Sequence, residues 1–242
     1  MLITSLENNK IKDIIKLNSS KYRKENNKFI VEGYHLVEEA YKSGLLEEIF
    51  ILEDKTIDIN ISTTYITIPI MKKITNLESI PDVIGICNIK DNKLMGNHIL
   101  VLDGIQDPGN LGTIIRSAAA FNIDTIVLSE DTVDLYNSKV IRATQGMLFH
   151  INIVRENIKI LIKELKEKDY KIYSTNVNNG TSLKDIKISD KYVIIIGNEG
   201  NGVSKEINDL SDENIYIKTN SNCESLNAAI ATSIILYELS DN

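Results

Sequence analysis

Residues 192–239, YVIIIGNEGNGVSKEINDLSDENIYIKTNSNCESLNAAIATSIILYEL, decide the fold class of this chain. Val193 to Ile196 are consecutive apolar residues, and such a run is typical of a strand buried on both faces of a parallel sheet. The following residues 197–202, GNEGNG, combine glycines with polar side chains and predict a tight turn. Because open α/β sheets bind ligands at the carboxyl ends of their strands, the turn predicts a small-molecule site. From the glycines alone, an ordinary strand-to-helix loop is the preferred explanation, so the rest of the chain has to decide.

Strands and helices alternate regularly from His98 onward, which predicts a mostly parallel sheet with helices on both faces. The strands before the opening stretch are predicted at 99–102, 125–128, 148–154 and 171–174. The helices are predicted at 112–121, around 138–143 and at 158–168.

The front of the chain predicts a separate, smaller α/β domain over residues 1–90. Its helices are predicted at 6–17 and 34–42 and from Pro69, its strands at 29–31, 48–52, 64–68 and 84–89, and an exposed loop at 18–28. Residues 90–97, KDNKLMGN, are largely polar and predict a linker. We therefore expect two domains, at 1–90 and 98–242.

Composition excludes several classes of protein. With 242 residues, 43% of them hydrophobic, the chain is long enough to bury a real core. No apolar run approaches the roughly 20 residues that span a bilayer, and residues 1–12 lack the apolar core of a signal peptide. We therefore expect a soluble, cytoplasmic protein with no membrane partner. Cys87, Cys223 and the three histidines show no ligand spacing, so neither a disulfide nor a metal site is predicted.

Charge is distributed unevenly along the chain. The formal net charge is -7, which argues against broad electrostatic attraction to nucleic acid. Residues 1–30 are nevertheless basic, with seven lysines and arginines against three acidic residues. A contact with a polyanion and a solvated helix face are both consistent with this segment.

Residues 102–121, LDGIQDPGNLGTIIRSAAAF, predict a strand, a glycine loop and an alanine-rich helix. Asn110 lies at the start of the helix, where a side-chain cap explains it fully. Arg116 lies in an otherwise apolar stretch, and a guanidinium on the buried side of a helix needs anionic or carbonyl partners. A structural ion pair is one alternative for Arg116, with Asp103, Asp107 or Glu199.

Three motifs, in this order and spacing, resemble those of the SpoU (TrmH-like) RNA 2'-O-ribose methyltransferases of the SPOUT superfamily. The motifs are Asn110-x-Gly112-x-x-x-Arg116, Gly197-Asn198-Glu199-Gly200 and Glu224-Ser225-Leu226-Asn227, and the resemblance covers residues 99–239. Residues 29–40, FIVEGYHLVEEA, are similar to the small RNA substrate-binding domain that many members carry at the N-terminus.

The resemblance implies an α/β domain with a deep C-terminal trefoil knot. Knots are nearly absent from proteins, and no periodic pattern of residues predicts one. It further implies a homodimer and a site that binds S-adenosyl-L-methionine in a bent pose. By motif position, the cofactor-binding residues are Thr175, Ile196, Gly197, Ile217 and Leu226.

The resemblance also assigns catalytic residues. Arg116 matches the family's catalytic arginine, for which we favour a phosphate clamp that stabilises negative charge on the reacting oxygen. A literal base would require burial that strongly favours the neutral guanidine. Asn110 and Glu199 match residues that shape the pocket and hold Arg116, while Ser225 and Asn227 fix the last helix and the target ribose.

Residues 141–150, IRATQGMLFH, depart from the family's pattern at Thr144-Gln145, and so do His150 and Asn152. These departures bear on the choice of RNA and leave methyl transfer itself unaffected. Arg142 in this segment either contacts a phosphate or is an exposed helix charge. We favour a structural role for His150 over a catalytic one.

The sequence thus predicts a dimeric RNA 2'-O-methyltransferase that acts on ribosomal RNA, whose first domain docks the RNA. Two alternatives are a methyltransferase for transfer RNA and a non-catalytic RNA-binding or assembly factor with the same fold.

Overall fold

The computed structural model describes residues 1–177 and 179–240 and divides into two compact units. The first unit comprises Met1–Asp91 and Asp134–His150, and the second comprises Asn92–Val133 and the described part of Ile151–Asn242. The domain boundary that we predicted from sequence assigned residues 134–150 to the second domain, whereas in the structure they pack with the first unit.

The secondary structure is mixed in both units. The strands are β1 (Leu2–Ile3), β2 (Lys28–Glu32), β3 (Leu46–Leu52), β4 (Thr63–Ile66), β5 (Val83–Asn88), β6 (His98–Asp103), β7 (Thr125–Leu128), β8 (Asn152–Arg155), β9 (Lys171–Thr175), β10 (Thr181–Ser182), β11 (Tyr192–Gly197) and β12 (Glu213–Tyr216). The helices are α1 (Asn9–Lys16), α2 (Ser20–Asn26), α3 (Tyr34–Lys42), α4 (Ile68–Ile74), α5 (Pro108–Ala120), α6 (Ser138–Ala143), α7 (Ile158–Lys166), α8 (Lys205–Leu210) and α9 (Ala228–Ser240), with a 3-10 turn at Met147–Phe149.

The first unit is built on a five-stranded sheet in the order β1-β4-β3-β5-β2. Alternate residues of β3 point to opposite faces, as the pleat requires. Phe50 and Leu52 pack with residues of α1 and α4, while Ile49 and Ile51 pack with residues of α3 and with Ile141 of α6. The segment 134–150 therefore helps to cover one face of this sheet.

One predicted loop of the first unit is wrong. Residues 18–28 contain the helix α2 and are not a loop. The helix was missed because the residue that it buries is Arg23, and a pattern of apolar residues cannot show a buried charge. The Arg23 side chain donates to the Leu17 carbonyl at 2.8 Å and pairs with Asp134. These partners compensate the desolvation that a buried guanidinium would otherwise suffer.

A second prediction, a strand over 148–154, is only partly confirmed. Its first residues form the 3-10 turn after Gly146, which has a φ of 86°, and only residues 152–155 form β8. Leu148 and Phe149 pack in the core of the first unit, whereas Val154 packs in the core of the second. The chain changes units inside the predicted strand, so one continuous strand could not serve both cores.

The second unit is a seven-stranded sheet in the order β10-β12-β9-β11-β6-β7-β8, and all of its strand pairs are parallel. This confirms the predicted parallel α/β architecture. β11 is central and all of its residues are buried. Val193 and Ile195 pack with residues of α7 and α8, and α9 packs against β11 and α5. α8 had not been predicted, since its six residues hold a single buried apolar side chain, Ile207.

Candidate active site

A cavity of the second unit lies at the carboxyl ends of β9, β11 and β12, where the sequence predicted a ligand site. Its volume is about 400 Å³. The residues that line it are Thr175, Asn176, Val177, Ile196, Gly197, Asn198, Glu199, Gly200, Asn201, Gly202, Val203, Asn208, Ile215, Tyr216, Ile217, Thr219, Ser225, Leu226, Ala228, Ala231 and Ile235.

The glycine turn after β11 forms one rim of this cavity. Asn198 and Gly202 exchange two backbone hydrogen bonds, of 3.0 and 2.9 Å. The side chain of Asn198 accepts from the N–H groups of Gly200 and Asn201 and donates to the Gly104 carbonyl at 2.8 Å. A Cβ on Gly197 would lie 2.0 Å from the Gly202 carbonyl carbon, so the close backbone approach requires glycine at this position.

Glu199 ties this rim to the loop before α5. Its carboxylate accepts from the N–H of Gln106 and of Asp107, each at 3.1 Å, and from Nδ2 of Asn110 at 3.0 Å. Partial burial would raise the pKa of the Glu199 carboxyl, but hydrogen bonds led by that of Asn110 outweigh it and lower the pKa. The charged carboxylate therefore holds two distant motifs together.

Asn110 extends the network to the last helix. Its Oδ1 accepts from Nδ2 of Asn227 at 2.9 Å, and Oδ1 of Asn227 accepts from the N–H of Ala229 and of Ile230 at the start of α9. The proposed cap role of Asn110 is wrong, because Asp107 caps α5 by accepting from the Asn110 N–H at 2.8 Å. The Asn110 side chain is thus free to join Glu199 to Asn227.

Arg116 differs from its prediction. Its side chain is exposed on α5, and within the described residues it has neither a hydrogen bond nor an ion pair. The alternative of a structural ion pair is not realised: Asp103 accepts instead from the Ser204 N–H at 3.0 Å, and Asp107 and Glu199 have the partners given above. The sequence predicted that Arg116 is on the buried side of the helix because its neighbours are mostly apolar. Five of these neighbours do face the core, but Arg116 lies on the opposite face of α5.

The predicted site residues fall into two groups. All five residues predicted to bind the cofactor line the cavity, and so do Glu199 and Ser225. Asn110 and Asn227 do not line the cavity but are joined to it by hydrogen bonds through Glu199, and Arg116 belongs to neither group. Sequence reasoning missed Gln106 and Asp107, whose backbone N–H groups carry no sequence pattern. It also missed Asn208, which accepts from the Ser174 hydroxyl at 2.6 Å.

Two other predicted residues lie in the first unit. His150 Nε2 is 2.6 Å from a carboxylate oxygen of Glu39, an arrangement that supports the structural role. Arg142 is about one third exposed and lies beside Glu32. Across residues 1–177 and 179–240, no helix is long and apolar enough to cross a membrane, and no group of three or more His, Cys, Asp or Glu side chains could hold a metal ion.

Comparison with known proteins places both units among RNA-modifying enzymes. Residues 97–237 match the model of the SpoU rRNA Methylase family, and residues 8–85 match the MRM3-like substrate binding domain. The chain is 37% identical over 243 residues to the 23S rRNA (guanosine(2553)-2'-O)-methyltransferase RlmP of Bacillus subtilis, and the match covers 98% of each chain.

Solved structures give the same result. The AdoMet-bound rRNA methyltransferase from Sinorhizobium meliloti is 29% identical, with a TM-score of 0.86 over 98% of this chain and 96% of that one. The SpoU methyltransferase AviRb from Streptomyces viridochromogenes is 20% identical, with a TM-score of 0.87 over 97% of this chain and 98% of that one, and shows the shared fold.

Proposed function

Because the chain belongs to the SpoU rRNA methylase family, we propose that it transfers a methyl group from S-adenosyl-L-methionine to a ribose 2'-hydroxyl of ribosomal RNA. The family match confirms the family predicted from the three motifs. The observation that carries the proposal is a single cavity lined by all five candidate cofactor residues. Glu199, in the same wall, connects that cavity to the other two motifs.

The cavity fits the proposed cofactor. Its volume lies within the roughly 300–1,000 Å³ of small-molecule sites, and it combines an apolar wall with polar groups at one rim. Ile196, Ile217 and Leu226 supply apolar surface for an adenine ring, and Thr175 and Gly197 bring backbone close to the ligand. When bound, S-adenosylmethionine supplies an electrophilic methyl group on a sulfonium centre.

Arg116 acts in this proposal as a clamp for a phosphate next to the reacting ribose. A guanidinium is a permanent cation whose planar donors match phosphate oxygens. The Arg116 side chain is exposed and has no hydrogen bond or ion pair among the described residues, so it is available for such a contact, which supports the clamp over a base. Its fixed charge also stabilises negative charge that develops on the ribose oxygen.

Ribosomal RNA is favoured over transfer RNA by the first unit. Residues 8–85 match a substrate-binding domain, and the similarity to an rRNA methyltransferase extends over both units. The basic residues near the N-terminus fit this role, although several form ion pairs, such as Lys12 with Glu7 and Lys16 with Asp13. The expected cytoplasmic location stays a prediction.

Two further parts of the proposal concern the second unit. The C-terminal trefoil knot follows from the family resemblance, and the similarity of the whole chain to solved rRNA and SpoU methyltransferase structures supports it. A homodimer is supported by an apolar stripe on α9, where Ile230, Ile234 and Tyr237 are 54%, 39% and 56% exposed. Exposed apolar side chains spaced in this way form one face of a helix and are typical of an interface.

The proposal is tested by mapping 2'-O-methyl groups in the rRNA and tRNA of the host with and without this gene, together with calorimetric titration of the protein with S-adenosylmethionine. We expect one methylated site in rRNA to disappear and the cofactor to bind. Loss of a tRNA site instead would overturn the assignment to rRNA. Folded protein that does not bind the cofactor would favour a non-catalytic RNA-binding factor.

A further inference from the structure

A second cavity, of about 370 Å³, lies entirely within the first unit and is not part of the methyl-transfer site. It is bounded by α2 and β2 on one side and by the start of α6 on the other. Arg23, Lys139 and Arg142 bring three positive charges to it, and Asn18, Asn76 and Tyr136 contribute polar walls. A cavity of this composition is suited to an anion.

Arg23 is the most deeply buried cation of this cavity, with only 7% of its surface exposed. One of its terminal nitrogens donates to the Leu17 carbonyl at 2.8 Å, and the other pairs with Asp134. Its third donor, Nε, is buried and has no acceptor among the residues that the structure describes. An unsatisfied buried donor costs about 1–3 kcal/mol, so an acceptor at this position would be strongly favoured.

Arg142 also lines the cavity and has a second unsatisfied donor. Its Nη1 is buried without a hydrogen bond in the described part of the chain. The nearest carboxylate oxygen belongs to Glu32 and lies 3.9 Å away. Glu32 is already engaged, because its other oxygen accepts from the Thr75 hydroxyl at 2.5 Å and from the Asn76 N–H at 3.1 Å.

The charges of the cavity do not balance. Arg23, Lys139 and Arg142 carry three positive charges, and Asp134 and Glu32 carry two negative charges, which leaves one positive charge without a counter-charge. A phosphodiester has a single negative charge and several acceptor oxygens, so it would balance the charge and accept hydrogen bonds from the cationic side chains that line the cavity.

We propose that this cavity binds a backbone phosphate of the RNA substrate and so fixes the RNA on the first unit. The inference rests on the proposed function for its ligand, but it uses residues that take no part in methyl transfer. It also selects between the two interpretations of Arg142 in favour of the phosphate contact.

The test measures binding of an in vitro transcript of the host 23S rRNA across a series of KCl concentrations. We expect Arg142→Gln and Lys139→Gln each to weaken binding by about tenfold at low salt and to make the plot of log affinity against log salt shallower by about one. Lys73→Gln removes an exposed charge on α4, outside both the cavity and the basic N-terminal segment, and is the matched control, which should bind like the wild type. Arg23→Gln is not decisive, because it also removes the partner of the buried Asp134.

A second readout separates this inference from the proposed function. At saturating RNA, Arg142→Gln and Lys139→Gln should keep the wild-type methylation rate and affinity for S-adenosylmethionine. If both variants bind RNA with wild-type affinity and salt dependence while the enzyme is active, the cavity holds only ordered water and the inference is wrong. If the wild type binds RNA but methylates none, the proposed function is wrong. The salt dependence of RNA binding by the two variants still shows whether the cavity binds a phosphate.

Discussion

The side-chain amide of Asn110 donates a 3.0 Å hydrogen bond to Glu199, which lies 89 residues further along the chain. This bond joins the loop before α5 to the glycine turn after β11. Asn110 is in turn bonded to Asn227, at the start of α9. Three motifs that are separate in the sequence thus become one rigid assembly, of which Glu199 is the charged member.

The Asn110–Glu199 bond should be energetically coupled. Hydrogen bonds to charged groups contribute about 1.5–3 kcal/mol, so Asn110→Ala and Glu199→Gln should each lower kcat/KM for methyl transfer by about 10- to 100-fold. The double variant should be only slightly worse than either single variant, with a coupling energy of at least ~0.5 kcal/mol. Additive losses in steady-state assays would show that the two residues act independently.

Arg116→Ala should lose methyl transfer by at least ~100-fold, because a permanent charge near the reacting oxygen is removed. Arg116 has no hydrogen bond or ion pair in the described residues and lies outside the cavity wall, so affinity for S-adenosylmethionine should change less than about twofold. Single-turnover assays and calorimetry measure the two effects. Lys163→Ala, which removes an exposed charge on α7, is the control. Equal loss of binding and transfer in folded Arg116→Ala would contradict the clamp.

The sequence predicted those parts of the fold that rest on apolar patterns. The helix at 34–42 and the strand at 125–128 have the predicted bounds. The buried side chains of the helix repeat with the helical period, and the strand is a short run that is buried throughout. Prediction from sequence failed where burial is polar: α2 buries Arg23, whose partner Asp134 is 111 residues away. No local pattern can report such a pair.

The candidate site shows the same division. Thr175 and Leu226, which motif position assigned to one site, line the same cavity. The exposure of Arg116 and the cap formed by Asp107 depend on where α5 begins, and a shift of a few residues rotates every later side chain of the helix. The hydrogen bonds from Gln106 and Asp107 to Glu199 use backbone N–H groups. Because every residue but proline has such a group, the sequence could not show these bonds.

The glycine turn provides a matched pair of substitutions. Gly197→Ala would place a Cβ 2.0 Å from the backbone of Gly202 and Val203, so the turn must open. Gly200→Ala meets nothing closer than Asn198 Oδ1 at 3.5 Å. We expect Gly197→Ala to weaken cofactor binding by at least ~10-fold, which is about 1.4 kcal/mol, and Gly200→Ala to bind normally. Calorimetry, with circular dichroism to verify folding, measures the difference, and equal affinities would refute the role of the close approach.

The apolar stripe on α9 predicts the oligomeric state. Ile234→Asp places a charge in the proposed interface and should convert the dimer to a monomer in light scattering coupled to gel filtration. Ile160→Asp is the control, since Ile160 is 59% exposed on α7 and is not part of the stripe. A wild-type protein that is monomeric at high concentration would contradict the dimer, and a dimeric Ile234→Asp would place the interface elsewhere.

Glu39 predicts how the stability of the protein depends on pH. It accepts from Lys42 at 2.7 Å and lies 2.6 Å from His150, and these hydrogen bonds, that of Lys42 foremost, lower its pKa from 4.5 to about 2. The folded pKa lies below the unfolded one, so the stabilisation is fully present above about pH 4.5 and is lost as the pH falls towards 2. Because the Lys42 side chain is 62% exposed, we expect the charged Glu39 to contribute about 1 kcal/mol to the free energy of unfolding, well below the full linkage value.

Urea unfolding should therefore show Glu39→Gln to be less stable than the wild type near neutral pH, with the difference vanishing near pH 2. Glu38→Gln changes an exposed neighbour on α3 and should have the stability of the wild type at every pH. If Glu39→Gln were less stable than the wild type by the same amount at every pH, Glu39 would stabilise the protein by packing and not by its charge.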